Sequence, residues 1–177
     1  GYNVQGQIGD GTNTDKSAFV QIGTESDWIQ ISAGMYQSFA IKKDGTLWAW
    51  GSNAYGQLGD GTQVSKNTPT QIGSSNDWLM VYAGNAHTIA LKKNGSLWSW
   101  GDNIFCQLGD GTKETTSEKY SPHQIGTSTD WTKISTSRIK KRWNFMGFGR
   151  QCQGTTWRWN QGYAIRANSN WFVLRLG

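Results

Sequence analysis

The sequence predicts an all-β protein: a partial β-propeller of about two and a half to three blades, each of four short antiparallel strands, followed by an irregular C-terminal tail. Three observations predict it. Segments repeat at a spacing of 50 residues, short runs flank Asp-Gly or Asn-Gly inside each repeat, and long segments of helical period are absent. The repeat shows most plainly in GYNVQGQIGDGT (Gly1 to Thr12), GSNAYGQLGDGT (Gly51 to Thr62) and GDNIFCQLGDGT (Gly101 to Thr112). Between them, DWIQISAGMYQSFAIKKDGTLWAWG (Asp27 to Gly51) matches DWLMVYAGNAHTIALKKNGSLWSWG (Asp77 to Gly101). A third copy opens as DWTKIS at Asp130, displaced by three extra residues, and then stops.

Within a unit, Val20-Gln21-Ile22 reads as a short strand and Trp28 to Ile31 alternates as another. Ser38 to Lys42 and Thr46 to Trp50 flank Asp44-Gly45, and Asn94-Gly95 holds the same place in the next unit. Such a pair between two short runs marks a hairpin, because the turn needs a positive φ that Gly tolerates. Four short strands in about 50 residues is a blade, and blades arranged radially make a propeller. In the GxNxxGQLGDGT segment the glycines allow tight turns and close backbone approach. The amides of Asn3 and Gln7, repeated as Asn53 and Gln57, are suited to satisfying loop backbone in the interior. Trp48, Trp50, Trp98 and Trp100 are expected to fill the core between blades. Cys106 stands where the repeat has Gly56 and reads as a local substitution.

DGTLWAWGSNAYGQLGDGT, taken with the AGNAHT segment, resembles the repeat of the regulator of chromosome condensation family in its bacterial form. The resemblance covers residues 1–135. Kelch repeats have a similar period but carry a Gly-Gly pair that is missing here. The resemblance implies a seven-bladed propeller of four-stranded blades. Fewer than three complete units and an opening Gly1 in mid-motif then suggest a fragment of a longer product.

Charge divides the chain at the same boundary. Residues 1–135 hold nine Lys, no Arg and all twelve acidic residues, for a net −3. Residues 136–177 hold two Lys, six Arg and no acid, for a net +8. The overall +5 therefore misdescribes both parts. Arg138, Arg142, Arg150 and Arg158, interleaved with Trp143, Trp157 and Trp159, mimic a nucleic-acid patch of cations and aromatics. A slipped coding frame explains them better. Trp has only the codon TGG and Met only ATG, so reading one base later leaves some residues no freedom. Trp143, Trp157 and Trp159 then spell Gly, and Met146 spells Trp. These fall 98 residues after Gly45, Gly59, Gly61 and Trp48. With permitted codons elsewhere, Arg142 to Asn160 reads DGTLWALGDNAKGQLGDGT, matching Asp44 to Thr62 at 16 of 19 positions. The expectation is propeller repeats over 1–135 and, over 136–177, an out-of-frame tail without native blade structure, with about five residues of the repeat lost near Ser135 to Arg138. No nucleic-acid partner is expected once that tail is discounted.

Chemistry is sparse. His87 stands where the first unit has Gln37, and an imidazole that an amide can replace is structural rather than a base. His123 has no carboxylate or Cys beside it in sequence. No nucleophile triad, phosphate loop or paired metal-ligand spacing is found, and the GDGT segments lack the alternating ligands and closing Glu of a calcium loop. No catalysis, cofactor or metal is expected, and no apolar run approaches the roughly 18 residues of a membrane span. Composition suits a bacterial secreted or surface protein, with a cytoplasmic one also allowed.

The reading is a non-catalytic protein–protein interaction module whose loops present the partner surface. The most divergent loops are Met35-Tyr36-Gln37 against Asn85-Ala86-His87, and the extended segment from Lys113 to Tyr120. Contact is accordingly expected at Tyr36, Gln37, Asn85, His87, Glu118, Lys119 and Tyr120. The resemblance implies a second reading, regulation of a small GTPase by guanine-nucleotide exchange. An isolated, unclosed propeller of this length would leave strand edges and blade faces unprotected and is expected to fold poorly.

Overall fold

The computed structural model describes residues 1–112, 118–135, 145–147 and 172–174. Two complete four-stranded antiparallel sheets run in sequence order, as the repeat predicts. The first holds β1 (Trp28–Ala33), β2 (Gln37–Lys42), β3 (Leu47–Gly51) and β4 (Lys66–Gln71). The second holds β5 (Trp78–Ala83), β6 (His87–Lys92), β7 (Leu97–Gly101) and β8 (Lys119–Gln124). A third unit opens with β9 (Lys133–Ser135). Beside it lie β11 (Phe172–Leu174) and then β10 (Phe145–Gly147), an order that departs from that of the two complete blades. The remaining positions of the expected tail lie outside the described residues.

One strand differs from expectation. The fourth strand of the first blade is Lys66–Gln71 rather than Val20-Gln21-Ile22, which carries no strand. Residues 16–21 occupy the same place in the repeat as β4 but have no third strand beside them among the described residues. An extended segment becomes a strand only when its backbone finds a ladder partner.

The hairpins form where the sequence places them. Gly45 has φ 87, while Asp44 stays out of the left-handed region, so only one residue of the turn is left-handed. The bonds Gly45 N→Lys42 O (2.8 Å) and Lys42 N→Thr46 O (3.1 Å) close a three-residue loop ending in a glycine bulge, not a two-residue turn. Asp44 fixes it by accepting both the amide and the hydroxyl of Thr46, at 2.9 and 2.7 Å.

The core lies between blades. Phe39, Ile41, Leu47 and Leu58 of the first unit meet Trp78, Val81, Ala90 and Trp100 of the second in one buried cluster. Phe39 and Trp78 both pack against the Trp100 ring, with centroids 6.2 and 6.0 Å apart. Polar bonds pin the same joint: Gln30 exchanges two bonds of 3.0 Å with the backbone of Val81, and Ser32 Oγ accepts from Ala83 N. Covering decides burial. Ile31 and Val81 hold equivalent places in β1 and β5, yet Ile31 is 72% exposed and Val81 is fully buried, because only β5 has a blade in front of it.

The GxNxxGQLGDGT loops form the second tie between blades. Asn53 is fully buried; its Oδ1 accepts from Leu58 N (2.9 Å), and its Nδ2 donates to Asp60 Oδ1, Thr62 O and Val64 O. Gln57 Oε1 accepts from Tyr55 N, while its backbone oxygen takes bonds from Thr88 Oγ1 and Trp100 Nε1 of the next blade. Asn3 and Gln7 repeat the arrangement against Ser38 and Trp50. The interior role predicted for these amides is what the structure shows.

Replacing Asn53 with Ala strands Leu58 N–H and several loop carbonyls, at about 1–3 kcal/mol for each buried group left unpaired. Asn53→Ala should therefore speed amide exchange at Leu58 by at least about tenfold, at roughly 1.4 kcal/mol per decade, and leave Leu47 unaffected.

Candidate partner-binding face

Antiparallel pairing sorts every connection to one of two ends. The β1–β2 turn and the β3–β4 loop share one end, tied by Ser52 N→Tyr36 O at 2.7 Å, and Asp102 N→Ala86 O at 2.9 Å repeats the tie in the second blade. The β2–β3 hairpin and the connection to the next blade share the other, tied by Trp78 N→Gly45 O at 3.1 Å.

The two ends differ in chemistry. The turn-and-loop end carries exposed Tyr2, Val4, Met35, Tyr55, Ile104 and Phe105. The hairpin end carries Lys43, Asp44, Lys93 and Asn94, with exposed Ile29 and Leu79 near the starts of β1 and β5. Single exposed apolar residues are ordinary, but several at one end of a repeating frame mark a contact surface. The backbone of Tyr55 and of Phe105 is fixed by Gln57 and Gln107, at 2.9 and 2.7 Å.

The residues expected at the partner surface all lie at or beneath this end. Asn85 and Tyr120 are exposed, and Tyr36, Glu118 and Lys119 are half-buried. Tyr36 stacks against Tyr2 with centroids 6.0 Å apart, and Tyr120 OH donates to Glu118 Oε2 at 3.0 Å. Gln37 and His87 point inward and are buried. Gln37 accepts from Tyr36 N and donates to Gly84 O (2.8 Å), so it joins the turns of adjacent blades. The exposed loop residues Tyr55, Ile104 and Phe105 were not singled out from sequence. Their signal was there: they fill the variable places of GxNxxG, where Val4 and Gln5 precede them in the first copy.

Burial pushes the His87 imidazole down to about 4, so it is neutral at pH 7. Lys16, then Thr12, hydrogen-bonds the Asp10 carboxylate and holds it well below the usual range. Among the described residues, no group of three or more His, Cys, Asp or Glu could hold a metal ion. No helix in this part is long and apolar enough to cross a membrane.

Comparison with known proteins follows this geometry. The family description "Regulator of chromosome condensation (RCC1) repeat" matches residues 44–91 and 94–138, and a second description of the repeat matches 28–57 and 81–106. Among solved structures, human WBSCR16 superposes with a TM-score of 0.64 at 23% identity, over 75% of this chain and 35% of that one. Prp20p from Saccharomyces cerevisiae, described with its binding properties to Gsp1p and histones, gives a TM-score of 0.62 at 22% identity, over 72% and 33%. Yeast RCC1 (Prp20) bound to Kap60 gives 0.61 at 21%, over 72% and 32%. The chain thus spans about a third of each of these structures. No curated protein matches.

The buried imidazole has a consequence for stability. Unfolding restores the ordinary His pKa near 6.5, so the unfolded chain binds the extra proton first as pH falls. The stabilisation is complete above about pH 6.5 and lost towards pH 4. The urea midpoint should drop across that window, and His87→Gln, which installs the first blade's residue, should flatten the drop.

Proposed function

The chain belongs to the regulator of chromosome condensation repeat family, and from that premise we propose that it is a non-catalytic protein-binding module that meets its partner with the turn-and-loop end of its blades. One observation carries the reading. At that end the hydrogen-bonded frame is the same from unit to unit while the exposed side chains change. Asn3, Asn53 and Asn103 each accept from the residue five places on, at 2.8, 2.9 and 3.1 Å. The side chains carried on the frame run Val4-Gln5, Ala54-Tyr55 and Ile104-Phe105, and in the turns Met35-Tyr36 and Asn85-Ala86. A fixed scaffold with a varied, partly aromatic surface suits recognition of another protein.

Guanine-nucleotide exchange on a small GTPase is the second reading. It is favoured by the likeness to Prp20p, described as binding Gsp1p. The two readings separate in one pair of experiments. Immobilised chain should capture a partner from its own cell extract, and the pair Tyr55→Ser with Phe105→Ser should cut capture at least tenfold. Lys43→Ala with Lys93→Ala, at the opposite end, should leave it unchanged; equal loss from both pairs would defeat the assignment of the face. Release of bound guanine nucleotide from candidate small GTPases should not accelerate on adding the chain. A tenfold acceleration would put exchange first.

A further inference from the structure

Each complete blade holds a lysine between two tryptophans. Lys42 Nζ lies 4.8 Å from the Trp28 ring and 4.4 Å from the Trp48 ring, and Glu25 pairs with it at 2.6 Å. Lys92 Nζ lies 4.8 and 4.9 Å from Trp78 and Trp98, with Asp77 at 2.9 Å. The paired indoles meet edge to face, at 5.8 and 5.9 Å. Rings and carboxylate together replace the water that the Lys42 ammonium loses, and the Glu25 bond raises its pKa. The cluster therefore needs four parts: an acid, a Trp at the first strand, a Lys ending the second and a Trp on the third.

The third unit has begun this cluster. Trp131 follows Asp130, is buried, and donates its backbone N–H to Gly95 O at 3.2 Å, as Trp78 does to Gly45 O at 3.1 Å. Trp131 and Ile134 already pack on Ile89, Leu91, Leu97 and Ile125 of the second blade, with Met80 and Tyr82 alongside. The Lys and the second Trp should follow, and the in-frame sequence after Ser135 does not place them as the repeat does.

The next reading frame does. Lys140 followed by Lys141 spells Lys or Arg whichever lysine codon is used, and it falls 98 residues after Lys42. Met146 followed by Gly147 can spell only Trp, at the place of Trp48. The match also continues past Asn160. Trp171 before Phe172 can spell only Gly, 98 residues after Gly73. Ala167 to Asn170 have codons that spell PTQI, which with that Gly reproduces Pro69 to Gly73. Arg175 and Leu176 have codons that spell Asp-Trp, the Asp77-Trp78 that opens a further blade. A loss of fourteen bases between Ser135 and Arg138 accounts for both the frame and the five missing residues.

We propose that the face of the second blade on which Trp131 and Ile134 pack, formed by Ile89 and Leu91 with the partly buried Met80 and Tyr82, is the seat of a complete third blade of this same gene, whose coding sequence persists one base out of frame beneath residues 138–176. This goes beyond the frame slip read from sequence: it assigns the lost segment its docking surface and its buried cation cluster, and carries the hidden repeat to the threshold of a fourth blade. One departure from the pattern comes with it. The place of Trp50 falls on Phe148, whose codon gives Leu or Ser in the next frame, so the third blade lacks the indole that bonds the preceding loop.

Two measurements test the proposal, and neither depends on partner binding. The nucleotide sequence should show AGA or CGA for Arg142, GCC for Ala167, TCA for Ser169, AAT for Asn170, and TTG or CTG for Leu176, with at most one departure. Two or more departures overturn the hidden blade. Next, residues 136–177 are replaced by the five missing residues and the next-frame sequence, and the product is compared with the chain as it stands. Amide exchange at Ile89 and Leu91 should slow at least tenfold. Exchange at Ile89 and Leu91 that is unchanged or faster in the repaired product than in the chain as it stands overturns the seat.

Discussion

A four-stranded blade of about twenty-three strand residues has two broad faces and no means of covering either by itself. Everything else in this structure follows from the joint in which one blade covers the next. At the joint between β1–β2 and β5, an apolar cluster supplies area, and the side chain of Gln30 supplies register by reading both the N–H and the C=O of Val81. The loop leaving β3 then crosses to the following blade, where Gln57 O receives Thr88 and Trp100. Two ties from different parts of the unit fix rotation as well as contact, which is why exposed loop residues can change without disturbing the frame.

The joints are not copies of one another. Gln30 and Ser32 of the first blade are replaced by Met80 and Tyr82 in the second. The first joint is laced with polar bonds, whereas the second is an apolar cluster of Ile89, Leu91, Leu97, Ile125, Trp131 and Ile134. Position 106 differs too. Gly6 and Gly56 have φ 76 and 69, and a Cβ on Gly56 would stand 2.8 Å from the backbone of Tyr120. Cys106 takes the same left-handed conformation at φ 57 with a Cβ in place.

Much of this was legible in the sequence because the repeat states each position more than once. Strand count, hairpin positions and the interior role of Asn53 and Gln57 all came from comparing copies. What escaped it were properties of partnership. Among the described residues, Val20-Gln21-Ile22 has the composition of a strand but no ladder neighbour, and Ile31 has the composition of a core residue but no blade in front of it. The turn at Gly45 was legible in place, and the structure adds that Asp44 spends its side chain on Thr46 instead of adopting a positive φ. At the partner face, divergence between Gln37 and His87 pointed to surface, yet both are buried supports beneath the turns that vary. The Lys42 and Lys92 clusters were missed because a Lys at the end of a strand reads as solvated; only the spacing of Trp28 and Trp48 in three dimensions shows it enclosed.

The central claim is that covering by a neighbouring blade, not the sequence of the blade itself, sets local stability. Ser32 and Tyr82 hold the same place in the first strand of their blades, opposite Phe39 and Ile89. Native-state amide exchange at these two positions, corrected for intrinsic rates, tests the claim directly. Tyr82, in the covered blade, should exchange at least about tenfold more slowly than Ser32; equal protection at the two sites would contradict it.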